Sequence, residues 1–310
     1  MHRITFLIVF TFYSFFAAAQ ALTDSTIAMI AFWSPGDEYT YQFKETEDKK
    51  SKGVVSQKTM TYDLHMTVLD STADHYTLQW TYDNYQLNYA MQPYEKELLE
   101  IMQNIPIQYQ TNAFGKFESI LNWELMSSKA EEAFDLWLSQ KESIPDSISI
   151  PLKQMTTALF ESETQMKYWA RDLRFFHYLY GANLYRDRPM NGTKFYTNPF
   201  IKKNMPGNET VEVVAVDEEN WIAEIKVKSG IEGEASRELV YDFLLNNMEN
   251  FGITDRSEIK KEEIPAFTVT ENLNCIYHIP SGVIIKGEYS KRTEVGQDYK
   301  DTKYNFELTE

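Results

Sequence analysis

Cysteine is almost absent: Cys275 is the single one among 310 residues. One thiol excludes an internal disulfide and every Cys-x-x-Cys metal or redox motif. Cys275 sits in the run Leu273-Asn274-Cys275-Ile276-Tyr277 and reads as a small buried strand residue. The mature-chain histidines, His65, His75, His177 and His278, have no second His or Cys at ligand spacing. His65 and His75 fall on the polar side of their strands, and His177 reads as a helix-end cation or a core-edge residue. H-E-x-x-H, G-x-S-x-G, G-x-G-x-x-G, the P-loop and the EF-hand loop are all missing. No metal ligand, cofactor site or catalytic residue is therefore assigned, and a non-enzymatic role is expected. Positive charge is also scarce: 30 Lys and Arg stand against 46 Asp and Glu, a net charge of −16. Such a surface repels phosphate backbones, so no nucleic-acid partner is expected. The basic clusters are short (Lys49, Lys50 and Lys52; Lys202-Lys203; Lys260-Lys261) and read as solvated loops.

Long apolar runs are missing beyond the start of the chain. Residues 1–20 carry Arg3, an apolar stretch over 4–16, and the small residues Ala17, Ala18 and Ala19. This is the pattern of a cleaved secretory signal peptide. It resembles those of secreted Gram-negative proteins, which often end in Ala-Gln. No later run approaches the ~20 apolar residues that span a bilayer, so no transmembrane segment is expected after cleavage. The expected location is periplasmic or extracellular. Residues 21–310 are expected to form a single domain, and a chain of this length hides roughly 75% of its unfolded surface without staples.

What the chain has in excess is aromatic residues, 15% of the total. Many of them alternate with polar neighbours, the period of a half-buried strand. Tyr39, Tyr41 and Phe43 do so, as do Met60, Tyr62, Leu64, Met66 and Val68, and Tyr76, Leu78, Trp80 and Tyr82. The parity then flips to Tyr85, Leu87 and Tyr89, which requires a bulge or tight turn near Asp83-Asn84. A short helix is expected over 94–103, and a hairpin turn at Phe114-Gly115-Lys116.

Residues 122–180 change to helical spacing. Ser128 and Glu131 have the spacing of a capping box, and Ala130, Ala133, Phe134, Trp137 and Leu138 follow at steps of three and four. A second stripe runs through Leu152, Met155, Leu159, Met166, Trp169, Leu173 and Phe176, with a kink expected near Ser162. This stripe is expected to face the sheet. Residues 182–206 read as irregular, with Pro189, Gly192, Pro199 and Pro206. A hairpin through 211–227, a helix from Ala235 to the stop at Gly252, and a three-strand meander complete the chain.

Strands first, helices in the middle and strands last predict an α+β fold. The expected form is a large curved antiparallel sheet, half-barrel-like, packed against helices inserted at about 122–180. This architecture resembles the half-barrel envelope proteins of the LolA and LppX type, which carry lipids or lipoproteins. The likeness lies in the strand-rich ends, the enclosed helices and the export signal, and no residue role is carried over from it. It implies a lipid or other hydrophobic ligand, or an envelope protein partner, held between sheet and helices. Tyr62, Trp80, Tyr82, Trp169 and Phe176 are the candidate ligand-binding residues, because Tyr and Trp combine an apolar body with a polar tip. Two further readings follow from the same residues. One is a carbohydrate-binding or carbohydrate-cleaving protein, which needs an exposed aromatic row beside paired acids. The other is a structural or assembly protein.

Overall fold

In a computed structural model of the chain, the structure describes residues 22–91, 99, 105–139, 162–163, 171–198, 203–246, 248 and 255–310. The expected signal peptide, most of the helix over 94–103, the kink region outside 162–163, and Trp169 lie outside the described residues.

The N-terminal half supplies β1 (Thr26–Ala28), β2 (Glu38–Ser51), β3 (Val54–Ser71), β4 (His75–Leu87), β5 (Ile107–Asn112) and β6 (Phe117–Ile120). Two helices follow, α1 (Trp123–Ser139) and α2 (Arg171–Phe176). Next come β7 (Asn183–Tyr185), β8 (Met190–Asn198), β9 (Lys203–Asp217), β10 (Ile222–Ile231) and α3 (Gly233–Asn246). The chain then forms β11 (Phe267–His278), β12 (Val283–Val295) and β13 (Asp298–Leu308). Eleven strands make one open sheet in the order β6-β5-β4-β3-β2-β13-β12-β11-β10-β9-β8. Every neighbour is antiparallel, so two meanders are joined where β2 pairs with β13. The fold is α+β, as the alternating periodicity predicts.

The alternation becomes burial in the sheet. β5 buries every second residue, and so does β10 from Ala223 to Val227. The sheet curves around α2 and the turn after it. β5 and β12 are five strand spacings apart, roughly 24 Å along a flat sheet. Yet His177 bonds Tyr109 on β5, while Phe175 stacks on Tyr289 of β12 at 4.7 Å. A segment this short reaches both strands only if the sheet wraps it. The expected parity flip is a β-bulge: the β3–β4 register shifts between Thr61 and Asp63, and Asn84 adopts φ +53°. The Asn84 amide donates to Asp63 Oδ2 at 2.7 Å, and Tyr85 stacks on Tyr62.

An N-terminal strap closes the core. Ile27, Met29, Ala31 and Trp33 are buried, and β1 pairs with β7. Ile30 is held at both backbone atoms by the Tyr277 hydroxyl, at 3.0 and 2.7 Å. The strap crosses the β11–β12 turn so closely that a Cβ on Gly282, at φ +67°, would lie 2.2 Å from the Ile30 carbonyl.

Three local expectations need correction. Helix α1 begins at Trp123, five residues before Ser128, whose hydroxyl instead donates to the Leu125 carbonyl inside the helix. The described residues of 182–206 are not irregular: they contain β7, β8 and the start of β9. β8 is a sheet edge with mostly exposed side chains, so it shows no apolar alternation. Pro206 fits because β9 there pairs only with β8. His177 is no helix-end cation. It is 1% exposed, and burial lowers its pKa to about 3.

A candidate ligand cavity between sheet and helix

Register determines what the inner face of the C-terminal meander presents. Val211, Val227, Leu273, Tyr289 and Tyr304 are consecutive cross-strand partners on β9, β10, β11, β12 and β13. Two residues along each strand, roughly 7 Å away, lies a second row on the same face. It consists of Glu209, Ser229, Glu271, Lys291 and Thr302, again direct partners in sequence. An apolar row therefore lies beside a polar and charged one. Arg174 and Phe175 at α2's end, with His177, Tyr178 and Leu179 after it, form the facing wall, and Lys194 and Tyr196 of β8 close one side. Between them is a cavity of about 710 Å³.

Glu271 organises the polar row. It is 6% exposed and shares the inward parity of Val269, Leu273, Cys275 and Tyr277. Its two carboxylate oxygens accept separately from Lys194 Nζ at 2.5 Å and Lys291 Nζ at 2.9 Å. Burial alone would raise its pKa, but the two ammonium groups outweigh it and hold the carboxyl below its ordinary value. Lys194 also reaches Ser229 Oγ at 3.3 Å and lies 4.7 Å from the Tyr178 ring centroid. The Tyr178 hydroxyl donates to the Glu209 carboxylate. Burial raises the Tyr178 and Tyr289 phenols, with Glu209 and Glu271 respectively adding to the effect, so both remain protonated.

The wall opposite is fixed from the core. His177 Nδ1 lies 2.8 Å from the Gly115 carbonyl, which only accepts, so Nδ1 carries the proton. Nε2 is then the acceptor for the Tyr109 hydroxyl at 2.9 Å. Phe175 faces the cavity, while the adjacent Phe176 packs into the core against Tyr41, Trp80 and Phe306.

The described ones among the sequence-predicted residues lie behind this cavity and do not line it. Tyr62, Trp80, Tyr82 and Phe176 are at most 5% exposed, in one packed aromatic cluster. Trp80 and Phe176 meet edge to face at 5.4 Å, and the Tyr82 hydroxyl donates to Asp172 Oδ2 at 2.7 Å. Trp169 lies outside the described residues. Buried to this degree, Tyr62, Trp80 and Tyr82 offer no stacking face to a sugar. Glu271, Lys291 and Ser229 went unrecognised although the sequence carries a signal for them: polar residues at inward parity within apolar strands. For Lys194, on the edge strand, no such signal exists.

Burial pushes the Cys275 thiol up to about 12, which leaves it inert as a nucleophile. Among the described residues, no group of three or more His, Cys, Asp or Glu converges as a metal site. Among them too, no helix is long and apolar enough to cross a membrane.

No family model and no curated protein matches the chain. Among solved structures, one of lipovitellin, from work on its lipid–protein interactions, is similar at 8% identity and TM-score 0.46. The match covers 89% of this chain and 25% of the lipovitellin chain, so this chain spans about a quarter of that protein's length. A Bacteroides fragilis protein with a YmcC-like fold is similar at 9% identity and TM-score 0.21, over 90% of this chain and 100% of its own. At these scores the likenesses assign neither family nor activity.

Proposed function

We propose that this is an exported, non-enzymatic binding protein that holds an apolar or amphiphilic ligand between its sheet and the α2 segment. The observation that carries the reading is the cavity itself. Its volume, about 710 Å³, falls in the range of small-molecule sites, roughly 300–1,000 Å³. One wall is a row of apolar and aromatic side chains from five adjacent strands, which solvates an acyl chain or ring system better than water does.

Organic-solvent extraction of the purified protein, followed by mass spectrometry, tests the proposal. A stoichiometric lipid or other apolar compound is expected in the wild type, and its loss is expected in Val227→Trp, which fills the cavity from the apolar row. A protein that yields no such compound and takes up none when offered would overturn it. Export rests on the pattern of residues 1–20. N-terminal sequencing of exported material should begin between Gln20 and Leu22, and an intact Met1 there would contradict cleavage.

A further inference from the structure

Among the described residues, the lining of the cavity carries more bases than acids, against the balance of the chain as a whole. The chain has a net charge of −16. Among the described residues, Lys116, Lys194 and Lys291 line the cavity with Glu209 and Glu271. The charges separate along the row: Glu271 is bracketed by Lys194 and Lys291, while Glu209, at the other end, keeps its charge and accepts from the neutral Tyr178 hydroxyl. Glu271 thus holds two ammonium groups about one carboxylate, with one positive charge in excess. Lys291 remains 44% exposed along its side chain while its neighbour Glu271 is buried, so the excess charge is accessible from the cavity side.

From this we infer that the ligand is an amphiphile with an anionic head, a carboxylate or a phosphate, its head on the Lys194–Glu271–Lys291 row and its tail along Val227, Leu273 and Tyr289. The polar and apolar rows run parallel and adjacent, so one molecule reaches both without bending away from the sheet. The inference rests on the proposed apolar-ligand reading and adds to it the sign of the head and its position.

Isothermal titration calorimetry of the purified protein with four dodecyl compounds below their micellar concentrations separates the two. Dodecanoate and dodecyl phosphate should each bind at least about tenfold tighter than dodecanol, the scale of one charge-assisted hydrogen bond. Dodecyltrimethylammonium should bind weakest. Which of the two anions binds tighter distinguishes a carboxylate from a phosphate head. Lys291→Met should remove about tenfold of the anion affinity and leave dodecanol unchanged. The wild-type series decides even if that variant does not fold. Equal affinity for dodecanol and the anions, or preference for the ammonium compound, would overturn the inference and leave the apolar-ligand reading standing. No binding by any of the four would overturn both.

Discussion

His177 illustrates how one side chain ties sheet to insertion. Its neutral ring donates to Gly115, accepts from Tyr109 and is enclosed by Trp33 and Trp80. Its folded pKa is about 3, while an unfolded histidine titrates near 6.5. Between these values the unfolded chain binds the extra proton, so stability falls as pH falls. Above about 6.5 this group contributes no pH dependence. The slope from this one residue is about 1.4 kcal/mol per pH unit. Urea melts between about pH 6.5 and 5, above the carboxylate range, read it, with a further slope of the same sign from His278, whose partial burial also lowers its pKa. The wild type should weaken steadily over that window, and His177→Gln, less stable throughout, should show a shallower profile, with only the His278 contribution left. An equal slope in both would mean that the ring is not buried neutral.

At the scale of elements, the strands were legible and the helical insertion only partly so. Period-two alternation is imposed by the pleat, and it placed β2 to β5 and β9 to β13 as well as the bulge at Asn84. The start of α1 was not legible. The Asn122 side chain is taken up by β5, where it accepts from Gln108 and donates to Pro106, so the helix opens without the side-chain cap that Ser128 imitates. β8 was hidden because an edge strand needs only backbone partners. The cavity was hidden for a related reason. Its charged row depends on register between strands, which no single strand's pattern contains. The helical stripe is decided at Phe176, which packs between β2, β4 and β13. Phe176→Ala should cost about 3–5 kcal/mol. Phe195→Ala, at a position 64% exposed on β8, should change stability by no more than about 0.5 kcal/mol. Matching urea midpoints for the two would place the stripe away from the sheet.

On the scale of the whole molecule, the pairing of β2 with β13 is the seam of the sheet. It joins Tyr41 to Leu308 and Lys50 to Tyr299, and it brings Phe43 onto Phe306 with rings stacked at 5.1 Å. Strand pairs within each meander form by short turns, whereas the seam closes a loop of well over two hundred residues. Loop closure and non-local pairing are the slow steps of β folding. Pulse-labelled hydrogen exchange during refolding should therefore protect the β3–β4 and β9–β10 hairpins before the seam. Protection of the Gln42 and Glu307 amides, which face each other across the seam, in the first phase would contradict this order. The seam also sets a timetable for a chain delivered from its N-terminus first. Until the final strand emerges, β2 presents one unpaired edge and half the aromatic core has nothing to close upon. The protein remains unfinished while it is being made, and the cavity between the sheet and α2 takes shape only once β12 and β13, which carry Tyr289 and Tyr304, have arrived.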